Sequence, residues 1–409
     1  MLSLATLGET RVNASGKFAS AAEFLPQRGR DLYLKKQNDA TTKVPPALLV
    51  AASRARARQL ANAAAPAADG TALPTPTIGR QTINVIVINC DPVLKTRGGR
   101  KLHEAMRWND PWKLTDQMVE DAHAASYGYV NYRIVEKIDY NGFTTFRNGF
   151  TYTEEQFLEV WEKDRQKARP SMTSFQWLYE KFDLPRRIKD KDVSEIWLWG
   201  APYMAWDELH WKTPGDQIPY QTDNPWFYRP YDIPDVGKTI WIMGFSYERG
   251  EDCMLESYCH RIESVLSLTV GRGVWDHKKN AGNPWVRFTR VDKDFPGESE
   301  VGSVHYAPNS KGDYDWNNDR EVRTYCDDWL TYPNLPRRKR LLNAKSGGWG
   351  PGGAEHHLWW MKHLPHGPGV TDGFYNNWWE YIVNYDQAIK QLPPPDATFE
   401  KAKVARYAD

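Results

Sequence analysis

Four side chains in the sequence are of the types that hold a metal and activate water: Glu208, His260, Glu263 and His305. His260 and Glu263 stand three apart in MLESYCHRIESVL, a stretch with the apolar spacing of an amphipathic helix, so they share one helix face. Two imidazoles and a carboxylate suit a divalent metal such as zinc, and His260, Glu263 and His305 as three ligands leave a position open for water. Glu208 then serves as general base, since hydrolysis by metal-bound water needs a carboxylate beside that water. The plainer reading of HxxE is a solvated helix surface, with His260 on a backbone carbonyl and Glu263 paired to Arg261 or Arg249. Spacing alone does not separate the two.

Two other groupings carry chemistry on paper. In GGAEHHLWWMKHLPHGPG, His356, His357, His363 and His366 fall within eleven positions, with Trp359 and Trp360 between them. His356 and His363 are two turns apart on one helical face, but Pro365 ends a helix there and takes His366 off it. We read this stretch as a packed aromatic helix with satisfied histidines rather than a metal site. The loops NPWFYRPY, DYDWNND, CDDWLTYP and NNWWEY combine Trp with Asp and Asn, as a glycan cleft does. The same residues also cap turns and pack loops. No GxGxxG follows a strand, and GxxxxGK[ST] and GxSxG are missing, which argues against dinucleotide, P-loop and α/β-hydrolase chemistry.

These residues need a frame. TINVIVINCDPV is an apolar, β-branched strand of the kind buried on both faces of a parallel sheet. YGYVNYRIVEKIDY, SEIWLWGAPY and KTIWIMGFSY read as three more strands. Helical stretches are KLHEAMRW, PWKLTDQMVEDAHAAS, TEEQFLEVWEKDRQKAR, SFQWLYEKFDL and the segment carrying His260. The order β-α-β-α-α-β-β-α implies an α/β fold with a mainly parallel, flavodoxin-like sheet. Ligands of such sheets sit outside the carboxyl ends of the strands. Three segments are expected to meet there: WGAPYMAWDELHW, GFSYERGEDCMLESYCHRIES, and VGSVHYAPNSKGDYDWNND, with His305 ending a short strand.

The chain of 409 residues divides, on this reading, into an N-terminal extension and linker (1–82), an α/β core (83–275), a loop-rich, Trp-rich covering region of the same domain (276–390) and a C-terminal tail (391–409). Residues 1–82 hold eleven basic and five acidic side chains, include an Ala/Arg helix at 46–65, and look like a segment that only a partner orders. That makes a protein partner, or self-assembly through residues 1–82, an expectation. The formal net charge of +1 gives no push toward nucleic acid, and neither basic cluster, LPRRIKDK or LPRRKRLL, comes with a recognised nucleic-acid motif. No apolar run is long enough for a transmembrane segment. The four cysteines, Cys90, Cys253, Cys259 and Cys326, lack CxxC spacing.

Taken together, INVIVINCDPVL, GGRKLHEAMRWNDP, SEIWLWGAPY, MGFSYERG, CHRIES, VHYAPNSKGDYDW, CDDWLTYP and NNWWEYI resemble a family of uncharacterised, mostly secreted bacterial proteins, over about residues 83–385. The resemblance implies an extracellular location; the acid-poor, Arg-bearing start suggests an organellar one instead. It places Glu208, His260, Arg261, Glu263, His305 and Asp313 on motif positions, which adds Arg261 and Asp313 to Glu208 as catalytic candidates. Ser194 stands where the family has Asp, and Cys259 where it has Gly. The expectation is a metal-dependent hydrolase of an extracellular polymer, glycan or peptide. The alternatives are a non-catalytic subunit of a filament or large assembly docked by its N-terminal segment, and a carbohydrate-binding protein.

Overall fold

The structure is a computed structural model that describes residues 10–12, 19–28, 31–36, 41–44, 80–168, 171–222, 227, 231–273 and 282–394. The chain forms two units, Met1–Leu73 and Pro74–Asp409. In the first, β1 (Thr10–Val12), β2 (Ala19–Arg28), β3 (Asp31–Lys36) and β4 (Thr41–Val44) make an antiparallel sheet in that order. Sequence reasoning placed no strands here. The Ala/Arg helix at 46–65 and the C-terminal tail from residue 395 lie outside the described residues.

The second unit opens with β5 (Gln81–Cys90), in which Val85 to Ile88 are fully buried, as a strand covered on both faces requires. A short hairpin follows, β6 (Val93–Leu94) and β7 (Arg100–Lys101), and then α1 (Leu102–Met106) and α2 (Pro111–Ala125). Asp110 caps α2 by accepting from Trp112 N and Lys113 N, and Pro111 takes the first helical position, where its missing N–H does no harm. Next come β8 (Val130–Tyr140), α3 (Glu154–Glu162), α4 (Phe175–Lys181), α5 (Leu184–Asp190), β9 (Val193–Gly200), β10 (Leu209–Lys212), β11 (Ile240–Ser246) and α6 (Glu251–Leu268). The segment LPRRIKDK, a basic cluster in the sequence, is mostly α5.

The sheet order is β10-β11-β9-β5-β8, with β8, β5, β9 and β11 parallel and β10 antiparallel at the edge. Counted along the chain, the parallel strands run 2-1-3-4, the doubly wound, flavodoxin-like order, so the expected α/β class is the observed one. The unexpected element is β10. Its first residue follows Glu208, and Gly244 N donates to Glu208 O, so the edge strand fixes the Glu208 main chain beside β11.

The C-terminal half adds α7 (Pro284–Phe288), α8 (Gly353–Lys362) and α9 (Trp379–Val383) among loops and short strand pairs. It joins the layer through α8 and α9, which pack on α6, and α8 also meets α2. Its tryptophans make an interior. Trp329, Trp349, Trp360, Trp378 and Trp379 are fully buried, and Trp329, Trp378 and Phe288 meet edge-on or tilted with ring centroids 5.2–5.7 Å apart. The rings of CDDWLTYP and NNWWEY therefore face one another rather than solvent, and most of NPWFYRPY lies outside the described residues. No described helix is long and apolar enough to cross a membrane.

Candidate metal centre

Helix α6 is the platform. Its acids Glu251 and Asp252 fall in the first turn, where they favour the helix dipole, and nearly every later side chain is buried. Glu256, His260 and Glu263, spaced four and three apart, lie along one face. His305 comes from a loop and not from the end of a strand as the sequence suggested. Glu263 fixes that loop: its Oε1 accepts from Val304 N at 3.1 Å.

Four groups converge. His260 Nε2 lies 3.0 Å from His305 Nε2, and Glu256 Oε1 is 3.1 Å from the second nitrogen and 3.9 Å from the first. Glu208 Oε2 stands 3.7 Å from His260 Nε2 on the solvent side. Zinc ligands at about 2.1 Å in a tetrahedron stand about 3.4 Å from each other, so these separations bracket those of a shared ion. Outer partners orient the ligands. His260 Nδ1 faces Glu263 Oε2 at 3.4 Å, His305 Nδ1 faces Asp313 Oδ1 at 3.7 Å, and Tyr314 Oη donates to Glu256 Oε1 at 2.7 Å. Carboxylates behind ligating imidazoles set the tautomer that leaves Nε2 with its lone pair. Tyr314 takes a left-handed backbone (φ 58°), pinned by its N–H on His305 O and its hydroxyl on Glu256.

The consequence is electrostatic. Two imidazole lone pairs and a carboxylate aimed at one point demand a cation, a proton at the least. Burial works against charge on His260, but its bonds to Glu256 and Glu263 and the fields of Glu263 and Glu208 outweigh that and pull it up to about 10. Burial alone would raise Glu256; the bonds from His260, His305 and Tyr314 instead hold it far below the usual carboxylate range. Burial raises Glu208 despite His260 and His305, which suits a group that must take a proton.

No family model, curated protein or solved structure matches this chain. The reading of the site therefore rests on its own geometry.

That geometry sorts the sequence candidates. Glu208, His260 and His305 come together, and Asp313 joins them behind His305. Glu263 is close but on the Nδ1 side of His260, while Glu256 stands with His260 and His305 as the third group that could hold an ion. Sequence reasoning missed Glu256 and Tyr314; the signal for Glu256 was there, since it precedes His260 by four residues and shares its face. Arg261 is elsewhere, because one step along a helix turns a side chain about 100° away. It is fully buried against Glu195, with Nη1 2.7 Å from Oε1, and donates from Nη2 to Ile382 O. The three segments expected to meet do so, with Glu208 held near the carboxyl end of β11. The cluster flanks the middle of α6 beside the β10–β11 edge.

The histidine-rich stretch is packed as expected, but its histidines are not all satisfied: His356 Nδ1, His366 Nε2 and both ring nitrogens of His357 are buried without a hydrogen-bond partner among the described residues. His356 Nε2 meets Ser303 O at 3.1 Å and stacks on Trp316, and burial lowers it to about 4. Burial lowers His357 to about 3, so it stays neutral behind Glu256 and His260. His366 bonds Leu364 O and stacks on Tyr127.

Two expected results follow from this arrangement. A β-carbon at Gly244 would collide with the carbonyl oxygen of Asp207 and with Trp206. Gly244→Ala should displace β10 and Glu208, costing about 1–3 kcal/mol of stability by overpacking; denaturant unfolding checks this, and an unchanged midpoint refutes it. The second concerns pH. His260 has a raised pKa in the folded state, so its contribution to the metal-free protein is complete below about pH 6.5 and disappears as pH rises through about 10. Thermal unfolding of chelator-treated protein should fall more steeply across that interval for wild type than for His260→Gln. Parallel curves would contradict the assignment.

Proposed function

We propose that this protein is a metal-dependent hydrolase of an extracellular polymer, glycan or peptide, with His260, His305 and Glu256 as ligands and Glu208 as general base. The observation that carries this reading is the pair of Nε2 atoms 3.0 Å apart with Glu256 Oε1 beside both. A bound zinc-type ion would polarise a water or a carbonyl. The chain's own residues do the rest. Glu263 holds the His260 ring, Asp313 faces the His305 ring, Tyr314 holds Glu256, and Glu208, half-open to solvent with its carboxyl held above the usual range, accepts a proton. The likeness of the sequence motifs to mostly secreted proteins supports the extracellular setting. Hydrolysis of a panel of polysaccharides and peptides tests the proposal. Activity should vanish with a chelator, return with zinc, and drop at least tenfold in Glu208→Gln while metal is retained. Activity that survives both treatments would overturn it.

A second reading, a docked assembly subunit, draws on the first unit. β1 and β4 have open edges among the described residues, and open edges accept strands from another chain. Removing residues 1–73 would then abolish assembly and leave hydrolysis intact; assembly unaffected by the truncation would count against this reading.

A further inference from the structure

A second cluster lies away from α6. Cys326 opens the 3-10 turn Cys326–Thr331, Asp327 follows it, and His363 caps the C-terminal end of α8. Their donor atoms lie within 4.8 Å of one another. Cys326 Sγ is 3.5 Å from Asp327 Oδ1, and His363 Nε2 is 3.5 Å from that same oxygen.

We propose that Cys326, Asp327 and His363 form a second site for a zinc-type divalent ion, distinct from the centre on α6 in having a sulfur ligand. Three observations carry this. The first is spacing. A charge-assisted bond between imidazolium and carboxylate closes to about 2.7–2.9 Å, whereas these groups stand apart. Ligand distances of about 2.3 Å for sulfur and 2.1 Å for nitrogen and oxygen put tetrahedral neighbours about 3.4–3.6 Å from each other, as Asp327 Oδ1 stands from Cys326 Sγ and from His363 Nε2. The second is tautomer. His363 Nδ1 lies 2.7 Å from Trp359 O, so it carries the hydrogen and the lone pair sits on Nε2, toward Asp327. The third is the outer shell. Arg340 Nη1 holds Asp327 Oδ2 at 3.0 Å and leaves Oδ1 facing Cys326 and His363, so the oxygen and nitrogen ligands are both oriented from behind as metal ligands are. Cys326 is fully buried and His363 nearly so, but 30% of the Asp327 side chain is open, which gives an ion an approach. Bound there, the ion ties the end of α8 to the 326–331 turn, and water or substrate fills the fourth position.

The test uses the full chain carrying His260→Ala, whose first centre is weakened about a hundredfold. After metal removal and reloading with zinc, this protein should keep one equivalent, and X-ray absorption should show one sulfur at about 2.3 Å. Cobalt in its place should give a thiolate-to-cobalt charge-transfer band in the near ultraviolet. Cys326→Ser should lose the band and the equivalent. If that variant does not fold, the absorption reading on the His260→Ala protein decides alone. A shell of nitrogen and oxygen only, no retained zinc, or a band that persists in Cys326→Ser would each overturn the proposal. Failure of the first centre reads separately, as a wild type that holds no more metal than His260→Ala.

Discussion

Arg261→Ala is expected to destabilise the protein by about 3–5 kcal/mol, the usual result of stranding one charge of a buried ion pair. Arg261 and Glu195 have side chains 0% and 1% exposed, so neither can turn to water. Glu195 also accepts from Tyr132 Oη and Trp197 Nε1, each at 3.0 Å, and Arg261 lies over the Trp241 ring. Truncating the arginine leaves the carboxylate with two neutral donors and no counter-charge. Leucine at both positions removes both charges and should cost far less than the sum of the single changes. Denaturant unfolding of the two single variants and the double variant measures this. A single-variant cost below about 1 kcal/mol, or an additive double variant, would mean that the pair is not the buried network described. Because Arg261 adjoins His260, loss of activity in an arginine variant would be read as catalytic without this measurement; the structure predicts loss of the fold first.

The second large effect concerns the ligands. Zinc binding in small protein sites is worth about 10–16 kcal/mol, so one ligand of four carries about 3 kcal/mol, or on the order of a hundredfold in affinity. His260→Ala, His305→Ala and Glu256→Ala should each weaken zinc binding by about that factor. Glu263→Gln, which disturbs orientation only, should weaken it by about 10–100-fold. Competition with a chromophoric chelator gives the ranking. If Glu263→Gln were far worse than Glu256→Ala, the two glutamates would have exchanged roles, as the sequence spacing first suggested.

Much of this molecule was legible before its structure. The strands β5, β8, β9 and β11 announce themselves as apolar, β-branched runs, and their alternation with helices dictates the parallel sheet. LHWK does not: four residues beside two carboxylates become an edge strand only because β11 offers a partner. The helix with His260 was plain, and so was its pairing with His305. The third candidate ligand was not, because HxxE and ExxxH are equally good spacings on a helix, and only the loop held by Val304 and Tyr314 decides which carboxylate faces the histidines. Arg261 misled for a related reason. On a helix buried almost all round, charge does not mark the solvent side, and its partner Glu195 lies 66 residues away in the chain. The tryptophan loops read equally as a glycan cleft or as a core, and burial settles that only in three dimensions.

The central claim is that α6 carries a metal centre. Elemental analysis of the purified full chain, wild type beside His260→Ala, tests it most directly. The account predicts that wild type holds one more equivalent of zinc, or a similar divalent ion, than the variant. Equal metal content in two folded proteins would contradict it and leave His260, His305 and Glu256 as a buried proton-sharing cluster.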